Sequence, residues 1–244
     1  MGDRLASARA RRIALWTALA LAGLILVALA IFQVSKARCF ALTGDIVCRV
    51  ETTAPIVALT FDDGPTPEGV AWTSAVLRRH RARATFFLIG GEVGGREALV
   101  RRLLAEGHEI GNHSFSHVRM IGRSAAFYDA EIARTDAALR RAGVPSPSLF
   151  RPPYGKKLIG LPGALARHDY RMIMWDVEDP PGAATPRAYA EQMVRAARPG
   201  SILLMHVMYR DNRVARAALP LVVEGLQARG LRLVTVSELL RHRR

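Results

Sequence analysis

Residues 56–67 read IVALTFDDGPTP. Six apolar or β-branched residues in unbroken succession fit a strand buried on both faces, as in the middle of a parallel sheet. The run ends in Asp62 and Asp63, followed by Gly64 and Pro65. Adjacent carboxylates at the lip of a buried strand repel each other and lose hydration, so the pair needs a compensating partner. The bland alternative is an ordinary turn, in which an Asp side chain bonds the backbone and Gly takes up a positive φ.

Outward from this stretch, short β-branched or aromatic runs alternate with longer amphipathic ones. Candidate strands lie at residues 56–61, 84–89, 109–112, 149–152, 172–175, 202–206 and 231–235. Candidate helices lie between them at 66–81, 96–106, 125–142, 161–168, 186–198 and 213–229, each ended by Gly, Pro or a polar break. This is the βα alternation of a parallel sheet, and no repeat or low-complexity linker divides it. Such units suit a closed barrel or an open doubly wound sheet, and the apolar runs alone do not choose. In either, functional residues collect at the C-terminal strand edges. Asp62 and Asp63 follow the first strand, His113 the third, Asp176 and Glu178 the fifth, while Arg151 ends the fourth and His206 the sixth.

In His113-Ser-Phe-Ser-His117 two histidines stand at i and i+4. On a helical turn they face the same way and bind a divalent metal, with a carboxylate from elsewhere completing a three-ligand site that keeps an open position. A cation there makes adjacent aspartates tolerable, because one ligates it while its neighbour accepts a proton from activated water. His206 offers a general acid on the opposite side, against the plainer reading of a hydrogen-bonded structural histidine.

TFDDGP (Thr60–Pro65), HSFSH (His113–His117), RPPYG (Arg151–Gly155), MWDVED (Met174–Asp179) and SILLMH (Ser201–His206) stand in the order and spacing of five motifs. In these the chain resembles the polysaccharide deacetylases, carbohydrate esterase family 4, over about residues 56–240. The resemblance implies an α/β fold, a distorted (β/α)7-8 barrel, that removes acetyl groups from N-acetylated sugars with a divalent metal, commonly zinc or cobalt. It implies Asp62 as catalytic base, Asp63, His113 and His117 as metal ligands, and Arg151 as the residue orienting the base. Tyr154 matches the position whose backbone N–H stabilises the oxyanion, His206 the general acid, and Leu204 a candidate for the acetyl-methyl pocket. The fourth motif departs from the family pattern. Glu178 replaces one aspartate, Asp179 is shifted, and no tryptophan follows it. Either carboxylate can hold Arg151 or bias His206 toward its charged form. The missing tryptophan removes the usual apolar wall of the sugar site, and Trp175 reads as a core residue.

From Ile13 to Val34 the chain runs 22 residues without a formal charge. As a helix this spans about 33 Å, enough for a bilayer's hydrocarbon core. The basic residues before it point to residues 1–12 as a cytoplasmic tail, 13–34 as a signal-anchor helix, and the rest outside. A signal peptide cut after Ala28-Leu-Ala30 is the competing reading. Residues 35–55 read as an extracytoplasmic linker, in which Cys39 and Cys48 frame a turn at Thr43-Gly-Asp45 and staple a small hairpin by a disulfide. The catalytic domain is expected at 56–244.

The formal charge is +14, and after residue 38 there remain 29 basic against 20 acidic side chains. That balance draws the domain toward anionic surroundings such as lipid headgroups or wall polymers. No zinc-finger spacing, RNA-binding aromatic signature or heptad array supports nucleic acid as a partner. The leading expectation is a single-pass enzyme of the cytoplasmic membrane. Its catalytic domain lies on the periplasmic side and deacetylates an N-acetylhexosamine glycan such as peptidoglycan, an exopolysaccharide or a chitin-like polymer. A deformylase or deacylase of a lipid-linked amino sugar, and a non-catalytic glycan-binding protein on the same fold, are the alternatives.

Overall fold

The computed structural model describes residues 2–244. Met1, the first residue of the expected basic tail, lies outside the described residues. The chain separates into two compact units, Met1–Ala37 and Arg38–Arg244. The first is a single helix, α1 (Gly2–Lys36). Within it, Arg11–Val34 has a mean hydropathy of 2.5, and its length and composition suffice to cross a membrane.

The second unit runs β1 (Ile46–Val47), β2 (Ile56–Asp62), α2 (Pro67–Arg79), β3 (Thr85–Leu88), α3 (Gly90–Val93), α4 (Glu97–Ala105) and β4 (Glu109–Asn112). It continues through α5 (Ala125–Arg141), β5 (Leu149–Phe150), a 3-10 turn (Pro153–Gly155), α6 (Gly160–Arg167) and β6 (Arg171–Ile173). The last elements are α7 (Pro186–Ala196), β7 (Ile202–Met205), α8 (Arg213–Ala228), β8 (Arg232–Val234) and α9 (Val236–Leu240). Helix starts follow from local chemistry. Thr66, Ser124, Thr185 and Thr235 each accept a backbone N–H of the first turn, and Pro67 and Pro186 open α2 and α7.

All the strand pairs are parallel, in the order β1-β6-β5-β4-β3-β2-β7, with β8 also paired to β2. Isolated bridges, Arg49 beyond β1 with Ser201 and Val177 beyond β6 with Leu203, bring that side of the path against β7 and close the barrel. The distortion sits at β2. One of its edges pairs with β7, while its other edge is shared, Ile56–Ala58 with β8 and Thr60–Asp62 with β3. The start of α9 fills the resulting wedge, where the Val236 N–H donates to Thr85 Oγ1 (2.9 Å) and the Ser237 N–H to Glu109 Oε2 (3.1 Å).

Every residue of β2 is buried, which is why no polar alternation marks it in the sequence. Strand parity divides its side chains. Val57, Leu59 and Phe61 pack outward with the helix layer, whereas Ile56 and Ala58 pack with Phe87, Phe150, Met172 and Leu204. Thr60 and Asp62 have the parity of the second set and enter the barrel.

The N-terminal boundary of this unit differs from expectation. Cys39 and Cys48 are joined, with Cα atoms 5.5 Å apart, but they do not staple a hairpin. Ile46–Val47 instead pairs parallel with Met172–Ile173 of β6, and the Val50 N–H donates to Gly200 O (2.9 Å). Burial decides it, because Val47, Cys48 and Val50 sink into the core while Phe40 and Leu42 stay exposed. Residues 38–55 therefore fall within the second compact unit, and Ile46–Val47 adds a strand to its sheet.

Candidate active site

Asp62 ends β2 facing the barrel interior, where Arg151 meets it. Arg151 is fully buried and donates to Asp62 Oδ1 (2.7 Å), Thr60 Oγ1 (2.8 Å), Ile173 O (3.2 Å) and Met174 O (3.1 Å). Its guanidinium also lies 4.1 Å from the Phe87 ring centroid. Burial pushes the Asp62 carboxyl up, but the Arg151 charge, then His113 and His206, carry it below the ordinary aspartate value. Asp62 is thus held as a carboxylate by a cation that cannot turn away.

Asp63 turns the chain with φ 76°, followed by Gly64 at φ 72°. Its side chain meets His117 Nε2 at 3.3 Å and His113 Nε2 at 3.8 Å. Burial, followed by the neighbouring Asp62 charge, raises Asp63 to about 6. The ligand atoms of Asp63, His113 and His117 all lie within 4.8 Å of one another.

The two histidines do not converge by a helical turn, as the i, i+4 spacing suggested. Residues 113–117 are an irregular loop after β4, with Ser114 and His117 at positive φ (62° and 55°). Two side chains outside the quoted motifs hold that loop. Asn112 Oδ1 accepts the Ser114 N–H (2.9 Å), while Glu131 of α5 accepts the Phe115 N–H (2.9 Å), the Ser116 N–H (2.8 Å) and the Ser116 hydroxyl (2.9 Å). Asp136, one turn along α5, accepts from Asn112 Nδ2 (3.0 Å) and from the Tyr170 hydroxyl. A sequence signal for these residues existed. Glu131 and Asp136 are carboxylates on the inward stripe of α5 with Tyr128, Ile132, Thr135 and Leu139, where a charge without a partner is costly.

The site fits a divalent cation on its own geometry. His113 Nδ1 contacts Arg151 O (2.7 Å), which makes it the protonated nitrogen and leaves Nε2 as the donor atom. Burial lowers His113 to about 4 and also lowers His117, so both imidazoles are neutral at physiological pH. Asp63 Oδ1 is buried without a hydrogen-bond partner, a cost that a bound cation removes. One carboxylate and two neutral imidazoles are a zinc-type donor set.

The fourth motif resolves in favour of Asp179. Its carboxylate bonds His206 Nδ1 and the Tyr189 hydroxyl, whereas Glu178 accepts from Trp175 Nε1 (2.8 Å) and pairs with Arg38 (2.9 Å). Neither touches Arg151 among the contacts of the described residues. Burial pulls His206 down, but the Asp179 hydrogen bond and the charges of Asp62, Asp179 and Asp63 outweigh it and raise the imidazole to about 9. Asp176 instead braces the start of β7, through the Ser201 hydroxyl (2.8 Å) and the Ile202 N–H (2.8 Å).

Asp62, Asp63, His113, His117, Tyr154, Glu178, Asp179, Leu204 and His206 all line one cleft of about 900 Å³. Leu204 is buried at its floor. Tyr154 sits in the left-handed region (φ 58°, ψ 14°), its ring 4.9 Å from that of His117 and beneath Arg119. Trp175, expected in the core, is buried and also lines the cleft, together with Tyr189 and Tyr209. Cys39 and Cys48 do not line it.

Asp62, Asp63, His113, His117 and His206 thus gather in one cleft at the C-terminal strand edges of a closed parallel barrel, the end at which such folds carry their sites. The chain belongs to the polysaccharide deacetylases: the family model described as polysaccharide deacetylase matches residues 49–173. It is 35% identical to a peptidoglycan-N-acetylglucosamine deacetylase of Bacillus cereus over 82% of this chain and 95% of that one. It is 34% identical to a chitooligosaccharide deacetylase of Sinorhizobium fredii over 75% and 91%. A solved family 4 carbohydrate esterase from Streptomyces lividans, in complex with acetate, is 32% identical, superposes with a TM-score of 0.68, and covers 75% of this chain and 92% of its own. The protein is accordingly a carbohydrate esterase family 4 enzyme that hydrolyses N-acetyl amide bonds of carbohydrates, and deacetylases of this family are metal-dependent.

Proposed function

We propose that this enzyme deacetylates N-acetylhexosamine units of a cell-wall or related glycan outside the cytoplasm, tethered by its N-terminal helix and dependent on a divalent cation, zinc by preference. The observation that carries the reading is the buried, partnerless Asp63 Oδ1 beside two neutral imidazoles. Asp63, His113 Nε2 and His117 Nε2 would hold the cation. When bound, it acidifies water and polarises the acetyl carbonyl.

The rest of the chemistry belongs to the chain. Asp62, fixed by Arg151 through Oδ1, presents Oδ2 as the base that takes the water's proton. The Tyr154 N–H donates to the oxyanion, and the acetyl methyl seats against Leu204. His206, charged through Asp179, delivers its proton to the departing amine. Wall glycans are favoured as substrates by the names of the relatives, peptidoglycan-N-acetylglucosamine and chitooligosaccharide deacetylases.

The test combines metal analysis with acetate release from N-acetylglucosamine oligomers. Purified protein carries about one divalent ion per chain, and Asp63→Asn loses ion and turnover together. Turnover surviving in metal-free Asp63→Asn overturns the site assignment. For the tether, a periplasmic reporter fused after Ser35 is active and a cytoplasmic one is silent; the reverse overturns it.

A further inference from the structure

Beside the catalytic cleft, a second depression of about 610 Å³ is lined by Glu68, Trp72, Arg210, Arg213, Arg216 and two alanines of α2. Arg213 lines both, so the two adjoin at its side chain. Trp72 is 38% exposed, which is high for so large an apolar side chain. Its indole N–H is already spent on Arg216 O (3.0 Å), so what it offers a ligand is its ring surface.

The three arginines are not equivalent. Arg210 and Arg216 converge on Glu68, Arg210 by Nε at 2.6 Å and Arg216 at 3.7 Å. Arg213 has no carboxylate partner among the described residues, and its side chain is exposed where the two depressions meet. The depression therefore carries an excess of positive charge. Asp211, the acidic group of the adjoining turn, lines the catalytic cleft and not this shelf.

The shelf is also rigidly joined to the reaction centre. Thr66 Oγ1 donates to Met208 O (2.5 Å), two residues beyond His206. A Cβ at Gly69 would lie 2.5 Å from the same carbonyl, so the first turn of α2 is pressed against the segment that carries the general acid. A flat aromatic face next to an unpaired guanidinium suits a ring with an apolar face and an anionic substituent.

We infer that the Trp72–Arg213 shelf is a remote subsite for an acidic sugar of the same glycan chain whose N-acetyl group reacts in the cleft. The sugar lies on Trp72 and its carboxylate pairs with Arg213. The inference rests on the proposed glycan-deacetylase reading, and it narrows the substrate to a polymer with carboxylate-bearing units, as in a glycan containing muramic acid.

The test uses the full chain and three probes: a muramic-acid-containing tetrasaccharide, its carboxylate methyl ester, and an N-acetylglucosamine disaccharide. Loss of a charge-assisted pair lowers kcat/KM of Arg213→Ala about tenfold more on the acid than on the ester. Trp72→Ala lowers acid and ester alike and spares the disaccharide, while Arg213→Lys restores part of the preference for the acid. Calorimetric titration of acid and ester into wild type and Arg213→Ala reads the shelf even where no acetate is released, which separates its failure from that of the deacetylase reading. Equal affinity of the wild-type chain for acid and ester, absence of binding by both, or an equal loss on both in Arg213→Ala overturns the inference.

Discussion

Asp62 and His206 line the same cleft, and each depends on one oppositely charged neighbour, yet the two pairs are built differently. Arg151 is sealed in the barrel by four hydrogen bonds and an aromatic face. Asp179 is 31% exposed at its side chain, and His206 is 39% exposed. The first pair is structure as much as chemistry, since removing one member strands a charge inside the barrel. The second sits at the rim, where solvent and neighbours tune it and its loss leaves the core intact. One wall of the site is fixed by folding, the other is adjustable.

The largest effect that tests this contrast is on Arg151. Truncation to Ala leaves Asp62 buried without its cation and costs about 3–5 kcal/mol, a fall in Tm of about 10 °C for a chain of this size. Thermal unfolding followed by circular dichroism checks it, and a Tm within about 2 °C of wild type would erase the contrast. Asp62→Asn keeps the shape and removes the carboxylate proposed as base, so turnover is expected to fall by about a thousandfold or more while bound metal, measured by elemental analysis, stays.

Asp179→Asn belongs to the other wall and is expected to cost less stability than Arg151→Ala, because the pair it breaks is partly exposed at the rim. Its signature is in the pH profile. Asp179 and the neighbouring carboxylates raise His206 to about 9, so the proposed proton donor is charged at neutral pH and is lost in the alkaline range. In Asp179→Asn the alkaline limb moves to lower pH, as steady-state rates between pH 6 and 10 will show. The linked stability has the same sign, being fully present below the unfolded value of about 6.5 and lost as pH climbs toward the folded one.

The loop-holding carboxylate lies between these extremes. Glu131→Gln keeps an acceptor but weakens three hydrogen bonds to residues 115 and 116. Metal affinity is expected to fall about tenfold, at the low end for residues behind metal ligands, with little change in Tm. Competition with a chromophoric chelator measures it. Tyr189→Phe is the smallest change, removing one donor from Asp179 and shifting the alkaline limb slightly upward, because the freed carboxylate holds the His206 proton more tightly.

Much of this architecture was legible in the residues. The β2 run, the starts of α2, α5 and α7 after Thr66, Ser124 and Thr185, and the strand at Glu109–Asn112 follow from burial and capping, which are local effects, whereas the short α9 was not read. The five motifs named the family, and the cleft brings their polar residues together. What escaped depends on distant partners. Two residues at Ile46–Val47 have no periodicity to read, and only β6 makes them a strand. The bend of residues 113–117 is imposed by Glu131 and Asn112, so the spacing of the histidines pointed to the right pair by the wrong geometry. The choice between Glu178 and Asp179 turned on which side chain reaches β7, a fact of three dimensions.

The shared edge of β2 has a consequence for how the chain is made. Ala58 pairs with Ile202 and with Val234, partners synthesised 144 and 176 residues later. Until those C-terminal segments emerge, the longest and fully buried strand of the barrel has one open edge and half of the other exposed, an arrangement prone to mispairing with other chains. Nascent chains that stop before β7 should therefore be insoluble and protease-sensitive, and maturation of this enzyme should depend on holding factors that keep its early half apart from its neighbours.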